Sequence, residues 1–362
     1  MITVPTLLLD EEKCRRNIRI MASKARENGI IFRPHFKTHV SREPGEWFRE
    51  EGVDRITVSS FRMARYFAEE GWNDILVAFP VNIPEIDTIN SLSGKVKLSI
   101  LAESSYTVEF LGRKLENPVD VYIKIDLGYN RTGISYDDTG TINSVLSAIS
   151  KSGKMRFTGF LSHSGQSYNA RSVEEIMEIH NKSIEKILEI KAVFIGQYPD
   201  LIISLGDTPT CSIAEDFTMI DEIRPGNFVF FDLMQVIIGS CSPDMVAVAM
   251  ACPVVAVHPE RNELVIYGGA VHFSKESITD ATGRRIYGMV LEDYGPGWGD
   301  IVEDAILSKL SQEHGIVEAP AEYIKRFKPG DIIKIMPVHS CLTAHAMREY
   351  QTLQGRTVTM MS

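Results

Sequence analysis

The sequence predicts an α/β fold: a (β/α)8 barrel of the TIM type carrying a C-terminal β-rich domain. Three observations predict it. From about residue 12 to 235, short β-rich runs alternate with longer, charged segments of helical period, the pattern of parallel βαβ units. Eight such units suit a closed barrel better than an open doubly wound sheet. No G-x-G-x-x-G follows any β-rich run, as a dinucleotide-binding sheet would require. After about residue 240 the helical stretches become few and turn-linked β runs take over.

Taken in order, the opening VPTLLLD is β-like and suited to join the later β domain. Barrel strands are expected at Ile30–Arg33, Ile56–Ser59, Ile75–Phe79, Val96–Leu101, Val119–Asp126, Phe157–Ser162 and Leu201–Leu205, with a last pair around Ile223 and Phe228–Phe231. Between them Glu11–Glu27, Phe61–Glu70, Ser104–Leu115 and Val173–Phe194 carry helical period. Beyond residue 240, Val246–Val257, Glu263–Tyr267, Arg285–Leu291 and Asp331–Met336 read as strands joined by turns such as HPERN and KPGD. The expected division is a barrel over 12–238 and a β domain built from 1–11 plus 239–362. No internal repeat or low-complexity linker interrupts it.

Composition narrows the function classes. The 362 residues carry 38 Lys+Arg against 48 Asp+Glu, a formal charge of −10, and no basic block. That disfavours nucleic acid and anionic membranes as partners. The longest uncharged apolar run, Met245–Val257, is far shorter than the roughly 20 residues of a membrane span and contains Pro253. The N-terminus has no basic region before its first acids, so a secretory signal is not expected. Five scattered cysteines, an odd count, fit reduced thiols and a cytoplasmic setting. The expectation is an enzyme or small-molecule binder.

The sharpest local feature is RPHFKTH, Arg33 to His39, just after the first barrel-type strand. In extended chain Arg33, His35, Lys37 and His39 would share one face. A lysine among cations loses proton affinity, as a Schiff-base lysine requires, and strand C-termini are where barrel active sites lie. A solvated basic loop is the alternative. SLGDTPT and RPGN follow the seventh and eighth strands, where phosphate sites recur in barrels. There Gly206 allows close backbone approach, and the N–H groups of Gly206, Asp207 and Thr208 can form an anion nest; ordinary turns are the alternative. In PVHSCLTAH, His339 and Cys341 are two residues apart, an imidazole and a thiolate suited to Zn²⁺. Alone, an H-x-C pair is more often coincidence.

These motifs, with ITVSSFRMARYFAEEGWNDILVAFP, DLGYNRTG, GFLSHSGQSY, EIRPGNFVFFD and QEHG, resemble the fold-type III pyridoxal-phosphate (PLP) enzymes. More narrowly, they resemble the family containing eukaryotic-type D-serine dehydratase and D-threonine aldolase. The resemblance runs nearly the full chain and implies that Lys37 holds PLP as a Schiff base and serves as the Cα base. It implies further that Arg131 lies near the cofactor ring or substrate carboxylate, that His163 and Tyr168 sit beside the pyridine ring, and that Gly226 and Asn227 add N–H groups to the phosphate site. A small hydroxyl residue is expected where Asp207 stands. A carboxylate beside a phosphate is unfavourable unless it points away, so only the backbone of Asp207 is expected to bind. His339 and Cys341 become metal ligands by the same resemblance, for zinc first and manganese or magnesium as alternatives. His314 is expected in the outer surroundings of the metal, His345 as a bystander and Cys211 as structural.

The implied activity is that of a PLP- and metal-dependent lyase acting on a D-β-hydroxy amino acid, D-serine or D-threonine, giving a 2-oxo acid and ammonia. Cys341 and the FVFFDLMQVIIGSC stretch favour this dehydratase reading. D-threonine aldolase, yielding glycine and an aldehyde, is the alternative; an amino-acid racemase and a non-catalytic PLP carrier are further ones. A homodimer is expected, with the β domain of one chain covering the barrel mouth of the other.

Overall fold

The computed structural model describes residues 2–280 and 282–361. They form two compact units: Arg19–Gly226, and the chain up to Ile18 together with the chain from Asn227 onward.

The first unit is a parallel barrel. Its strands are Ile31–Phe32, Ile56–Val58, Asp74–Pro80, Lys97–Ala102, Val119–Asp126, Met155–Leu161, Ile202–Leu205 and Glu222–Ile223. From the second to the eighth each pairs with its sequence neighbour, and the first pairs with the eighth. The first and second meet through a parallel bridge at His35–Thr57, where Phe36 N–H donates to Thr57 O at 2.8 Å and Thr57 N–H to Pro34 O at 2.9 Å. That bridge closes the ring. Strands covered on both faces read as near-continuous apolar runs, and Val119–Asp126 is buried except at its last residue. Leu76, Leu101, Tyr122 and Leu161 pack together from four different strands. The barrel's helices begin on polar caps: Ser60 accepts from Met63 N–H, Ser104 from Thr107 N–H, Asp138 from Thr141 N–H and Ser172 from Glu175 N–H.

Phe228–Phe231 is not a strand. Asn227–Val229 is a single 3₁₀ turn and Phe231 has φ 49°. The run is fully buried, and its apolar density alone does not distinguish a strand from a packed turn. The unit boundaries also differ from those expected at 11/12 and 238/239, falling at 18/19 and 226/227. Both shifted segments bond within the second unit: Asn17 Nδ2 donates to Met245 O at 2.8 Å, and Met234 N–H to Val338 O at 3.2 Å.

The second unit is antiparallel apart from one parallel pairing, of Leu8 and Leu9 with Gln351 and Thr352. Val248–His258, Glu263–Tyr267, His314–Glu318, Gly297–Leu310, Gly288–Tyr294 and Ile332–Pro337 pair in that order, and the last returns to Val248–His258 to close a six-stranded ring. Thr6–Leu9 of the opening segment runs antiparallel to Val248–Ala251. Among the described residues no helix is long and apolar enough to cross a membrane.

Candidate active site

Strand pairing places the ends of five barrel strands, and the loops that follow them, around one mouth. Lys37 follows the first strand, Arg131 the fifth, His163 and Tyr168 the sixth, Gly206–Thr208 the seventh and Gly226 the eighth. RPHFKTH does not stay extended to deliver Lys37. The strand-like geometry ends at His35, and residues 36–39 turn. The four expected same-face residues therefore separate. Arg33 is buried and paired with Glu222 at 2.7 Å and Asp74 at 2.6 Å. His39 is buried beside Phe36, Phe48 and Phe67, and burial pushes its pKa down to about 3. Lys37 is left exposed. Among the described residues its ammonium makes no ion pair or hydrogen bond.

The loop after the seventh strand presents its backbone. Among the described residues, no protein acceptor takes the N–H of Gly206, Asp207 or Gly226. Thr208 N–H donates to the Tyr168 hydroxyl at 3.3 Å. A Cβ on Gly206 would lie 2.6 Å from Arg224 N, and one on Gly226 2.9 Å from His35 O. Only glycine permits these approaches. The Asp207 carboxylate turns inward: Oδ1 accepts from Thr210 N–H at 2.8 Å and Ser167 Oγ at 2.9 Å, and Oδ2 from Thr210 Oγ1 at 2.8 Å. It caps the helix Thr208–Ile213. Burial raises its pKa to about 6, against the pull of those bonds.

The neighbouring side chains form a cationic group. Arg131 lies over the Tyr129 ring at 5.0 Å, on a loop shaped by Asp126 Oδ1 accepting from the N–H groups of Gly128, Tyr129 and Asn130. His163 Nδ1 is 2.6 Å from Gly206 O. A carbonyl only accepts, so Nδ1 carries the proton and Nε2 the lone pair. Burial lowers the pKa of His163 and of His35 well below the ordinary value. The charges of Lys37 and Arg131 lower both further, joined by Lys124 at His163 and by Arg224 at His35. Both imidazoles are neutral at pH 7.

Two cations here lay outside the sequence-based expectations. Arg224 is buried, with Nε donating to Ser204 Oγ at 2.7 Å and Nη2 to Ser162 O. Lys124 is buried with Nζ donating to Ile125 O at 3.1 Å, and burial with the Arg224 and Arg131 charges lowers its pKa to about 7. A signal for Lys124 existed: in VDVYIKID the polar residues Asp120, Tyr122, Lys124 and Asp126 alternate, and Tyr122 packs with Leu76, Leu101 and Leu161.

In the second unit, His339 and Cys341 are brought together by a helix start rather than an extended chain. His339 is the N-cap of Ser340–Met347. Burial opposes its imidazolium. The hydrogen bond to Cys341 and the charges of Cys341, Asp232 and Glu276 outweigh that and raise its pKa to about 9. Asn227 belongs to this group through its side chain, with Nδ2 2.7 Å from Asp232 Oδ2, 3.1 Å from Ser340 Oγ and 3.5 Å from Cys341 Sγ. His314 is exposed, in register opposite Tyr267. His345 pairs with Arg348 at 3.1 Å. Among the described residues no cluster of three or more His, Cys, Asp or Glu converges, so a metal at His339 and Cys341 would have two protein ligands. Cys211 is buried and its thiol is pushed up to about 12 by burial.

Residues 9–233 match the family described as "Alanine racemase, N-terminal domain", and residues 247–353 the one described as "Putative serine dehydratase domain". D-threo-3-hydroxyaspartate dehydratase of Delftia sp. (strain HT23) is 27% identical, covering 97% of this chain and 94% of its own. The solved structure of that enzyme superposes with a TM-score of 0.91, covering 100% of this chain and 98% of that one, and a Cys-to-Ala variant of it has been solved in a metal-free form. D-serine dehydratase of Dictyostelium discoideum is 27% identical over 98% of this chain and 94% of its own. D-threonine aldolase of Arthrobacter sp. is 22% identical over 64% of this chain and 62% of its own. The chain belongs to the alanine racemase N-terminal domain family, and with it to the fold-type III PLP enzymes.

Proposed function

We propose that this protein is a PLP- and metal-dependent lyase that dehydrates a D-β-hydroxy amino acid, D-serine or D-threonine, to a 2-oxo acid and ammonia. The observation that carries the reading is the Lys37 amine at the barrel mouth, without a partner among the described residues, in a cationic group with backbone N–H donors that no acceptor among those residues uses. The residues fit the cofactor. Lys37 is the amine that would hold it, and Gly206, Asp207 and Gly226 supply N–H groups for its phosphate. The Asp207 carboxylate is spent on a helix cap and Ser167, which removes the objection to an acid in this loop. Histidine nitrogen and cysteine sulfur likewise fit zinc, with manganese or magnesium as weaker matches to a thiolate.

When bound, PLP supplies an electron sink for the Cα carbanion and the metal a Lewis acid for the departing β-hydroxyl. The chain's own work is then as follows. Lys37 Nζ takes the Cα proton. The neutral His163 ties the loop after the sixth strand to Gly206 O, and its charge state keeps the mouth from gaining another cation. Arg131, held over Tyr129 without a carboxylate partner among the described residues, is available to an anionic group. Dehydration is favoured over aldol cleavage because the two dehydratases are each 27% identical over nearly the whole chain, whereas the aldolases are 22% identical or less. A homodimer is part of the proposal.

Product analysis on D-threonine, with zinc and again with a chelator, tests it. 2-Oxobutanoate and ammonia, lost with chelation, are expected. Glycine and acetaldehyde would make the protein an aldolase, and an epimerised product a racemase. Tight PLP without turnover of any D-β-hydroxy amino acid would leave a carrier.

A further inference from the structure

We propose that the Asn227 carboxamide is a positioning residue for the metal, setting the geometry and basicity of the Cys341 thiolate together with Asp232. The inference rests on His339 and Cys341 being the metal ligands. Asn227 is 4% exposed, and its Nδ2 faces three acceptors: Asp232 Oδ2, Ser340 Oγ and Cys341 Sγ. Its Oδ1 is buried and has no partner among the described residues. The amide orientation is nevertheless fixed, because the flipped form would set Oδ1 against the Asp232 carboxylate. Asp232 in turn accepts from Ser340 N–H at 2.9 Å and Ser340 Oγ at 3.2 Å, while its other oxygen accepts from Gln235 N–H at 3.1 Å. One carboxylate and one amide thus hold the start of the helix on which Cys341 stands, and the amide also donates directly to the sulfur. An N–H···S bond withdraws electron density from a thiolate and fixes its rotamer. Groups in this relation to a ligand typically change metal affinity 10–100-fold when removed. The buried, unpartnered Oδ1 is consistent with this. Leaving an amide oxygen unpaired costs stability, and the two N–H protons of Nδ2, shared among three acceptors, offset that cost.

The test uses the PLP-loaded protein, with Zn²⁺ alone as probe, titrated against a chromogenic chelator. Asn227→Ala is expected to weaken zinc binding about 10–100-fold while the protein remains folded. In the Co²⁺-loaded protein the thiolate-to-metal charge-transfer band is expected to move, which a purely structural role would not cause. Asn227→Leu, close in size but lacking the N–H donor and bringing no charge, is expected to behave alike and carries the test if the alanine variant does not fold. Zinc affinity within threefold of the parent and an unmoved cobalt band in either folded variant would overturn the proposal. Failure of both variants to fold would also overturn it, by making the amide a folding element. Absence of zinc affinity and of the cobalt band in the parent protein itself would instead overturn the ligand assignment on which the proposal rests.

Discussion

Gly206→Ala puts the phosphate loop under a load that the structure sizes. The new Cβ would meet Arg224 N at 2.6 Å and the Arg224 C and Cα atoms at 2.9 Å. Ordinary contact begins at 3.4 Å, so two backbone segments must part by about 0.8 Å, three-tenths of an N–H···O bond length. Arg224 cannot yield readily, because it is 4% exposed and its guanidinium is bonded to Ser204 and Ser162. The displacement therefore falls on Gly206 and Asp207, whose N–H groups the account gives to the PLP phosphate. A hydrogen bond to a charged group contributes roughly 1.5–3 kcal/mol. Losing one should weaken PLP about 10–100-fold. Absorbance titration of the cofactor-free protein with PLP reads this directly, with circular dichroism to show that the barrel is intact. PLP affinity within threefold of the parent, in a folded variant, would refute the phosphate assignment.

The remaining predictions are shorter. Arg33→Met strands the buried Glu222 carboxylate, while the half-buried Asp74 keeps Lys97 at 2.9 Å, and should cost about 3–5 kcal/mol of stability, read as a fall in Tm; an unchanged Tm would show that the network is not integral to the barrel. Burial raises the Asp207 carboxyl in the folded protein to about 6, above its ordinary 3.8, so its contribution is fully present below pH 3.8 and lost as pH rises through 6. Asp207→Asn should remove that slope, gaining on the parent by about 2 kcal/mol between pH 4 and pH 7; a difference in Tm that stays flat with pH contradicts the burial argument. Cys341→Ala should lower bound metal and turnover together, and full activity without metal would end the metal role.

The alternation of β-rich and helical segments exposed the barrel because parallel strands buried on both faces leave apolar runs that polar, capped helices interrupt. It failed at Phe228–Phe231, where four apolar residues pack as a turn. The site was legible as motifs but not as geometry. RPHFKTH contains the unpaired Lys37, yet period two assigned it the company of Arg33 and His39. Instead Arg33 is buried against Glu222 and Asp74, and the turn at 36–39 sends His39 into the core. Asn227 was expected for its backbone N–H in a phosphate loop, and nothing in the motif announced that its side chain bonds to Ser340 and Cys341, more than a hundred residues later. No local pattern carries a contact of that span. Asp207 was the reverse case: the chemistry of phosphate beside carboxylate already required its side chain to turn away, and Thr210 and Ser167 receive it.

Borohydride reduction of the PLP-loaded protein, followed by peptide mass mapping, tests the central claim most directly. Two lysines compete on physical grounds: Lys37, exposed at the mouth and unpaired among the described residues, and Lys124, buried with its pKa lowered to about 7. The account predicts the reduced pyridoxyl group on Lys37 alone. Label on Lys124, or no covalent label in a protein that retains PLP, would contradict it.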